Sequence, residues 1–187
     1  NGEMGVIRFI LKHFPEHGVR DVRANNNHAL RLAAAYGHTD VLALLLDRFP
    51  ALGVEDVRTY HNYALRYAAS RGHKDVLELL FDRFPALGVE DVRADNNFAL
   101  RFAAANGHMD VLVLLFDKFP ALGVEDVRAH NNYALHCAAS YGHTDVLALL
   151  LDRFPALGVE DVRADNNYAL RFAALRGHMD VLVFLFD

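Results

Sequence analysis

Apolar positions along the chain fall into two alternating kinds of segment. In the first, Leu100, Ala103 and Ala104 recur at i, i+3 and i+4, which predicts a helix from about Asn97 to Asn106 with a narrow stripe of small side chains. Asn97 is the expected N-cap, offering a side-chain oxygen to the first free N–H groups. Gly107 supplies the left-handed residue that ends the helix. In the second, Val111, Leu112, Leu114, Leu115 and Phe119 leave the stretch from about Met109 to Phe119 apolar over most of its circumference. Such a helix must be covered on two sides, and Pro120 stops it. Between these segments lies Gly123 to Asn132, whose Val124, Val127 and turn-prone Asn131 predict an extended connector like a short hairpin finger.

This pattern returns at a fixed step. Pro15, Pro50, Pro85, Pro120 and Pro155 are each 35 residues apart, and so are the Gly-His pairs that begin at Gly37, Gly72, Gly107, Gly142 and Gly177. The segment from Thr39 to Arg58 recurs letter for letter from Thr144 to Arg163. Duplication and consensus engineering both produce such identity. One helix pair cannot bury these faces alone, whereas stacked pairs can, so the period decides the architecture.

Ala-Leu-Arg-Phe-Ala-Ala-x-x-Gly-His at 99–108 resembles the first helix and Gly-His turn of the ankyrin repeat, and Asp110-Val-Leu-x-Leu-Leu-x-Asp117 resembles its second helix. The resemblance runs from Met4 to Asp187 and implies an all-α, helix-turn-helix solenoid with short hairpin-like loops. It divides the chain into an N-terminal half repeat at 1–22, a second helix and linker with Val6, Phe9, Ile10 and Phe14 in register, and five tandem repeats at 23–187. Departures are visible. The family's Thr-Pro opening reads His28-Ala29, Tyr63-Ala64, Phe98-Ala99, Tyr133-Ala134 and Tyr168-Ala169. Its histidine after the Leu is Arg31, Arg66, Arg101 and Arg171, and stays histidine only at His136. A step of 35 instead of 33, lengthened at Phe-Pro-Ala-Leu-Gly, is also similar to pentatricopeptide repeats, which read single-stranded RNA one base per unit. The Ala-Ala-x-x-Gly-His signature argues for the ankyrin reading. Val181, Phe184 and Leu185 offer no polar cap, which predicts a fragment of a longer array that self-associates through its ends.

Charge narrows the partners. A formal net charge of −5 lacks the basic field that gripping nucleic acid or an anionic membrane requires, so neither is an expected partner. No apolar run approaches the ~18 residues of a membrane helix, and the N-terminus has no secretory pattern. Cys137 is the only cysteine, which precludes an internal disulfide and suits a reducing, intracellular and cytoplasmic setting.

Candidate chemistry is thin. His13-Phe-Pro-Glu-His17 spells a zinc-protease motif, but Pro15 breaks the helix that would put both histidines on one face. The histidines at 38, 73, 108, 143 and 178 fall on successive units about 10 Å apart, too far to share an ion; in the resembling family this histidine hydrogen-bonds turn backbone. His130, His136 and Cys137 form the one His/Cys cluster and lack a fourth ligand. Ser70 and Ser140 have no nucleophile motif around them. Glu55 and Asp56 with Arg58 predict a solvated, self-compensating charge face. No catalytic residue, metal or cofactor is expected.

Variation among units is the remaining signal, because a slot that accepts different side chains is free of the packing constraint. Slot one holds Asn25, Tyr60, Asp95, His130 and Asp165; slot two holds Tyr36, Arg71, Asn106, Tyr141 and Arg176. Both match positions that the resembling family uses for partner contact on its concave face. Two further series, His28, Tyr63, Phe98, Tyr133, Tyr168 and Leu32, Tyr67, Phe102, Cys137, Phe172, lie on the same side of the helix and suit either partner contact or packing between repeats. The expected function is a protein-binding module or scaffold, with a self-associating structural array as the alternative.

Overall fold

Gly53 donates its N–H to Asp56 Oδ2 at 2.8 Å, and the same three-residue clasp recurs at Gly88, Gly123 and Gly158. A carboxylate at the third helical position thus satisfies an N–H that the helix start leaves free. This clasp opens a helix where the sequence predicts extended chain. The computed structural model describes residues 18–186, together with Gly5 and His13. The expected helix with Val6, Phe9, Ile10 and Phe14, and Pro15, Glu16 and His17 of the first histidine motif, lie outside the described residues.

Helices follow in the order α1 (Val19–Val22), α2 (Ala24–Ala35), α3 (Thr39–Arg48), α4 (Val54–Ser70), α5 (Lys74–Arg83), α6 (Val89–Ala105), α7 (Met109–Lys118), α8 (Val124–Tyr141), α9 (Thr144–Arg153), α10 (Val159–Arg176) and α11 (Met179–Phe186). No strand occurs among the described residues, and no described helix is long and apolar enough to cross a membrane. The hairpin finger is therefore corrected. The connector is a short helix, for example Val89 to Arg93, then extended Ala94, then three consecutive left-handed residues, Asp95, Asn96 and Asn97, at φ 57°, 54° and 58°. The main first helix follows. Left-handed backbone costs most residues roughly 1–2 kcal/mol each, and Asn, Asp and His tolerate it best, so the repeated Asn-Asn pair marks this turn. Asn97 is accordingly not an N-cap. It is buried, hydrogen-bonds the Asp126 carboxylate of the next repeat, and leaves its Oδ1 without a partner.

The remaining helix boundaries agree with the sequence. Gly107 takes φ 75°, and the second helix ends at Lys118 before Phe119 and Pro120. Leu30, Leu65, Leu100 and Leu135 from first helices interleave with Leu42, Leu77, Leu112 and Leu147 from second helices, all essentially fully buried. Small residues such as Ala68, Ala69, Ala103 and Ala104 let first helices of successive repeats pack closely, and that row makes most of the contact between repeats. Second helices touch their neighbours far less, in part through edge-to-face rings of Phe81 with Phe119 and Phe116 with Phe154. At the last helix one detail changes. Val181 is fully buried, and Phe184 and Leu185 are half-buried in a groove with Leu151, Leu157 and Val162. The exposed apolar residues there are Leu175, Met179, Val183 and Phe186, because the helix turns Val181 toward α9 and α10.

Candidate protein-binding face

In three repeats the left-handed turn is held by an arginine four positions beyond its last residue. Arg66 Nε donates to the His61 carbonyl at 2.7 Å and Nη2 to the Tyr60 carbonyl at 3.0 Å. Arg31 and Arg101 repeat the arrangement on Asn26 and Asn25 and on Asn96 and Asp95. All three are buried. Here arginine replaces the histidine expected from the family, since its planar fork spans two carbonyls at once. Each guanidinium also reaches the next repeat. Arg31 lies over the rings of Tyr60 and Tyr63, Arg66 lies over Phe98 and pairs with Asp95, and Arg101 lies over Tyr133. In these three repeats slot one is thereby fixed from behind while its side chain stays exposed.

Beside it runs a ladder of half-buried rings. Tyr63 stacks on Tyr67 at 4.2 Å between centroids, Tyr67 meets Phe98 at 5.3 Å, Phe98 stacks on Phe102, and Phe102 meets Tyr133 at 5.4 Å. Tyr168 and Phe172 continue it in the fifth repeat. The two aromatic series are thus inter-repeat packing with one edge in solvent. Cys137 interrupts the row, and burial pushes its thiol above the ordinary range.

Slot two closes the face on its other side. Arg71 donates to the Ala35 carbonyl at 2.8 Å and lies 4.5 Å over the Tyr36 ring. Asn106 donates to the Ser70 carbonyl, and Arg176 to the carbonyl and hydroxyl of Ser140 while stacking on Tyr141. Ser70 and Ser140 therefore receive inter-repeat contacts. All ten slot residues, Asn25, Tyr60, Asp95, His130, Asp165, Tyr36, Arg71, Asn106, Tyr141 and Arg176, are exposed. They border one continuous surface along the first helices, with the ring ladder as its floor.

Behind the face, the Gly-His ladder bridges repeats. His73 hydrogen-bonds the Ala35 carbonyl and His108 the Ser70 carbonyl. Each imidazole packs on the turn glycine of the repeat before, and a Cβ at Gly72 would come within 2.6 Å of His108 Nδ1. Burial pushes both histidines below their ordinary value, outweighing the carbonyl contacts. The acidic pair is corrected. Glu55 does pair with Arg58 in solvent, but Asp56 is buried and bonded bidentately by Arg23 of the preceding repeat. Arg58 with Asp91, Arg93 with Asp126 and Arg128 with Asp161 repeat this bond. Sequence inspection missed these junctions and the turn-holding arginines, although their recurrence in several units was the available signal.

The fourth repeat differs. A pocket of about 210 Å³ is lined by His130, Asn131, Tyr133, His136, Cys137, Asp165 and Tyr168. Among the described residues no three His, Cys, Asp or Glu side chains converge to hold a metal ion.

Comparison with known proteins places this geometry. The family described as ankyrin repeats (3 copies) matches residues 1–91 and again 100–187. No curated protein sequence matches the chain. Among solved structures, an ankyrin repeat family protein from Legionella pneumophila is similar at 29% identity and a TM-score of 0.65, over 87% of this chain. The match covers 46% of that protein, so the chain spans less than half its length.

Proposed function

Since the chain belongs to the ankyrin-repeat family, whose repeats mediate protein–protein interaction, we propose that it is a binding module or scaffold that takes a protein partner along its first-helix face. One observation supports this reading: the slots whose residues change from repeat to repeat are the exposed borders of a ring ladder, while the buried Leu and Ala positions behind it, such as Leu65, Leu100 and Leu135 with Ala69, Ala104 and Ala139, stay constant. Close packing of the first helices makes that side the natural concave one. Tyr and Arg are favoured anchors at such surfaces, and Tyr36, Tyr60 and Tyr141 are each more than half exposed.

A partner isolated by pull-down allows the test. Replacing Tyr60, Arg71, Asp95 and Tyr141 together by alanine should weaken its binding at least tenfold, since an anchor contributes about 1–3 kcal/mol and 1.4 kcal/mol is a factor of ten. Melting should fall by only a few degrees, reflecting the lost contacts of Asp95 to Arg66 and of Arg71 to Ala35. Unchanged affinity would move the site elsewhere. The RNA-reading alternative loses ground because Arg58, Arg93 and Arg128 are engaged by carboxylates of neighbouring repeats. Self-association keeps one supporting observation, the exposed apolar residues Leu175, Met179, Val183 and Phe186. A monomer at high concentration by gel filtration would remove that reading.

A further inference from the structure

His136 stands where three other repeats carry a buried arginine. The left-handed backbone around it is the same: His130, Asn131 and Asn132 have φ 57°, 56° and 57°, against 57°, 54° and 58° at Asp95, Asn96 and Asn97. The receiving groups are in place as well. The Asn131 and His130 carbonyls correspond to those that Arg66 binds at His61 and Tyr60, Asp165 corresponds to Asp95, and the Tyr168 ring corresponds to Phe98. What is missing is the guanidinium. Among the described residues no side chain donates to these two carbonyls, and Asp165 makes no ion pair. The imidazole stacks on Tyr168 at 5.4 Å, is 96% buried, and its Nε2 has no hydrogen-bond partner. Beside this shorter side chain lies the pocket of about 210 Å³. Exposed His130 and Asp165 stand at its mouth, on the face assigned to the partner.

We propose that this pocket between the fourth and fifth repeats receives an arginine side chain of the protein partner, in the place that Arg31, Arg66 and Arg101 fill from within the chain. The proposal rests on the protein-binding reading above and adds the residue type that is recognised. The Asp165 carboxylate selects a cation. Two carbonyls and a carboxylate lining one pocket select the planar fork of arginine over the compact ammonium of lysine.

The test uses Nα-acetyl-arginine methylamide as probe, followed by amide NMR shifts, with the lysine and citrulline analogues as controls. The wild-type chain should show saturable shifts confined to residues 130–137 and 165–168, at least tenfold weaker with either analogue. His136→Arg fills the pocket from within, so it should melt higher than the wild type, bind no probe, and lose at least tenfold in partner affinity. Asp165→Asn should bind the probe several-fold more weakly. Absence of saturable shifts, or equal binding by His136→Arg or by the citrulline analogue, would overturn the proposal. Probe binding by the wild type together with undiminished partner affinity in His136→Arg would also overturn it, by assigning the pocket to a free guanidinium compound. The slot-residue variant tests partner capture independently, so the pocket can fail while the binding face stands.

Discussion

Asn97 serves two demands that pull a side chain in different directions. Its backbone sits at φ 58°, third in a run of left-handed residues, while its amide reaches the Asp126 carboxylate across the repeat boundary. A short polar side chain meets both. Asn97→Val should therefore lower stability by more than about 1–2 kcal/mol, because a β-branched residue is among the worst in this conformation and the inter-repeat bond is lost as well. Asn97→Gly keeps the backbone relaxed and loses only the bond, so urea unfolding should show a clearly smaller drop. Equal losses would mean that the turn is not under the strain described. Slot one is under similar strain. Tyr60 is bulky for φ 54°, and the Arg66 bonds to its carbonyl and that of His61 are what hold it there.

At the level of the element, the short helix at each repeat start is a junction as much as a helix. Asp91 accepts from Gly88 in its own repeat, from Arg58 in the previous one, and from Asn62 beside it. Burial alone would raise its pKa, but these three donors together hold it below the usual carboxylate range, as happens for Asp56 and Asp126. At Asp161 the Arg128 bond is the main cause of the same depression. A depressed carboxylate contributes stability above its unfolded value near 3.9, which is lost as pH falls through the folded value. For His73, His108 and His136 burial lowers the folded pKa. The unfolded chain then takes up protons first, and stability begins to fall below about pH 6.5. Thermal melts from pH 8 to pH 3 should accordingly show two declines, one starting near pH 6.5 and one below about pH 4. Asp91→Asn should melt lower than the wild type at pH 7 and show a shallower second decline. A melting temperature flat between pH 7 and pH 5 would contradict the histidine assignment.

As a whole, the molecule is a row of near-identical units, each stabilised chiefly by its neighbours. A cavity in a middle repeat therefore weakens contacts on both sides. Leu115, fully buried in α7, is such a position, and Leu115→Ala should cost about 2–5 kcal/mol by chemical denaturation. The fully buried Val181 in α11 belongs with it, so a lysine there would destabilise the chain, whereas Leu175→Lys and Val183→Lys act on exposed positions.

Much of this architecture was legible because it depends on periods and on residue types with one dominant use. The step of 35, the i, i+3, i+4 stripe of Leu100, Ala103 and Ala104, the glycine at 107 and the proline at 120 determine helix pairs, their ends and their stacking without any knowledge of contacts. Slots one and two stood out by variation against a constant background, and all ten of their residues are exposed, although Asp95, Arg71, Asn106 and Arg176 also bond neighbouring repeats. What escaped were relations between units. Nothing in the local spelling of Val-Glu-Asp-Val-Arg distinguishes a solvated charge run from a buried bond 33 residues away, because pairing of Arg58 with Asp91 is decided by how one repeat lies on the next. Asn131 suggested a turn, and only the stacked backbone shows that the turn is a left-handed triplet, with an arginine behind it in three repeats. His136 and Cys137 were noticed for their metal-binding chemistry. Tertiary structure gives them another meaning, since a histidine in an arginine's place leaves two carbonyls, a carboxylate and a ring arranged around a space that the neighbouring repeats fill.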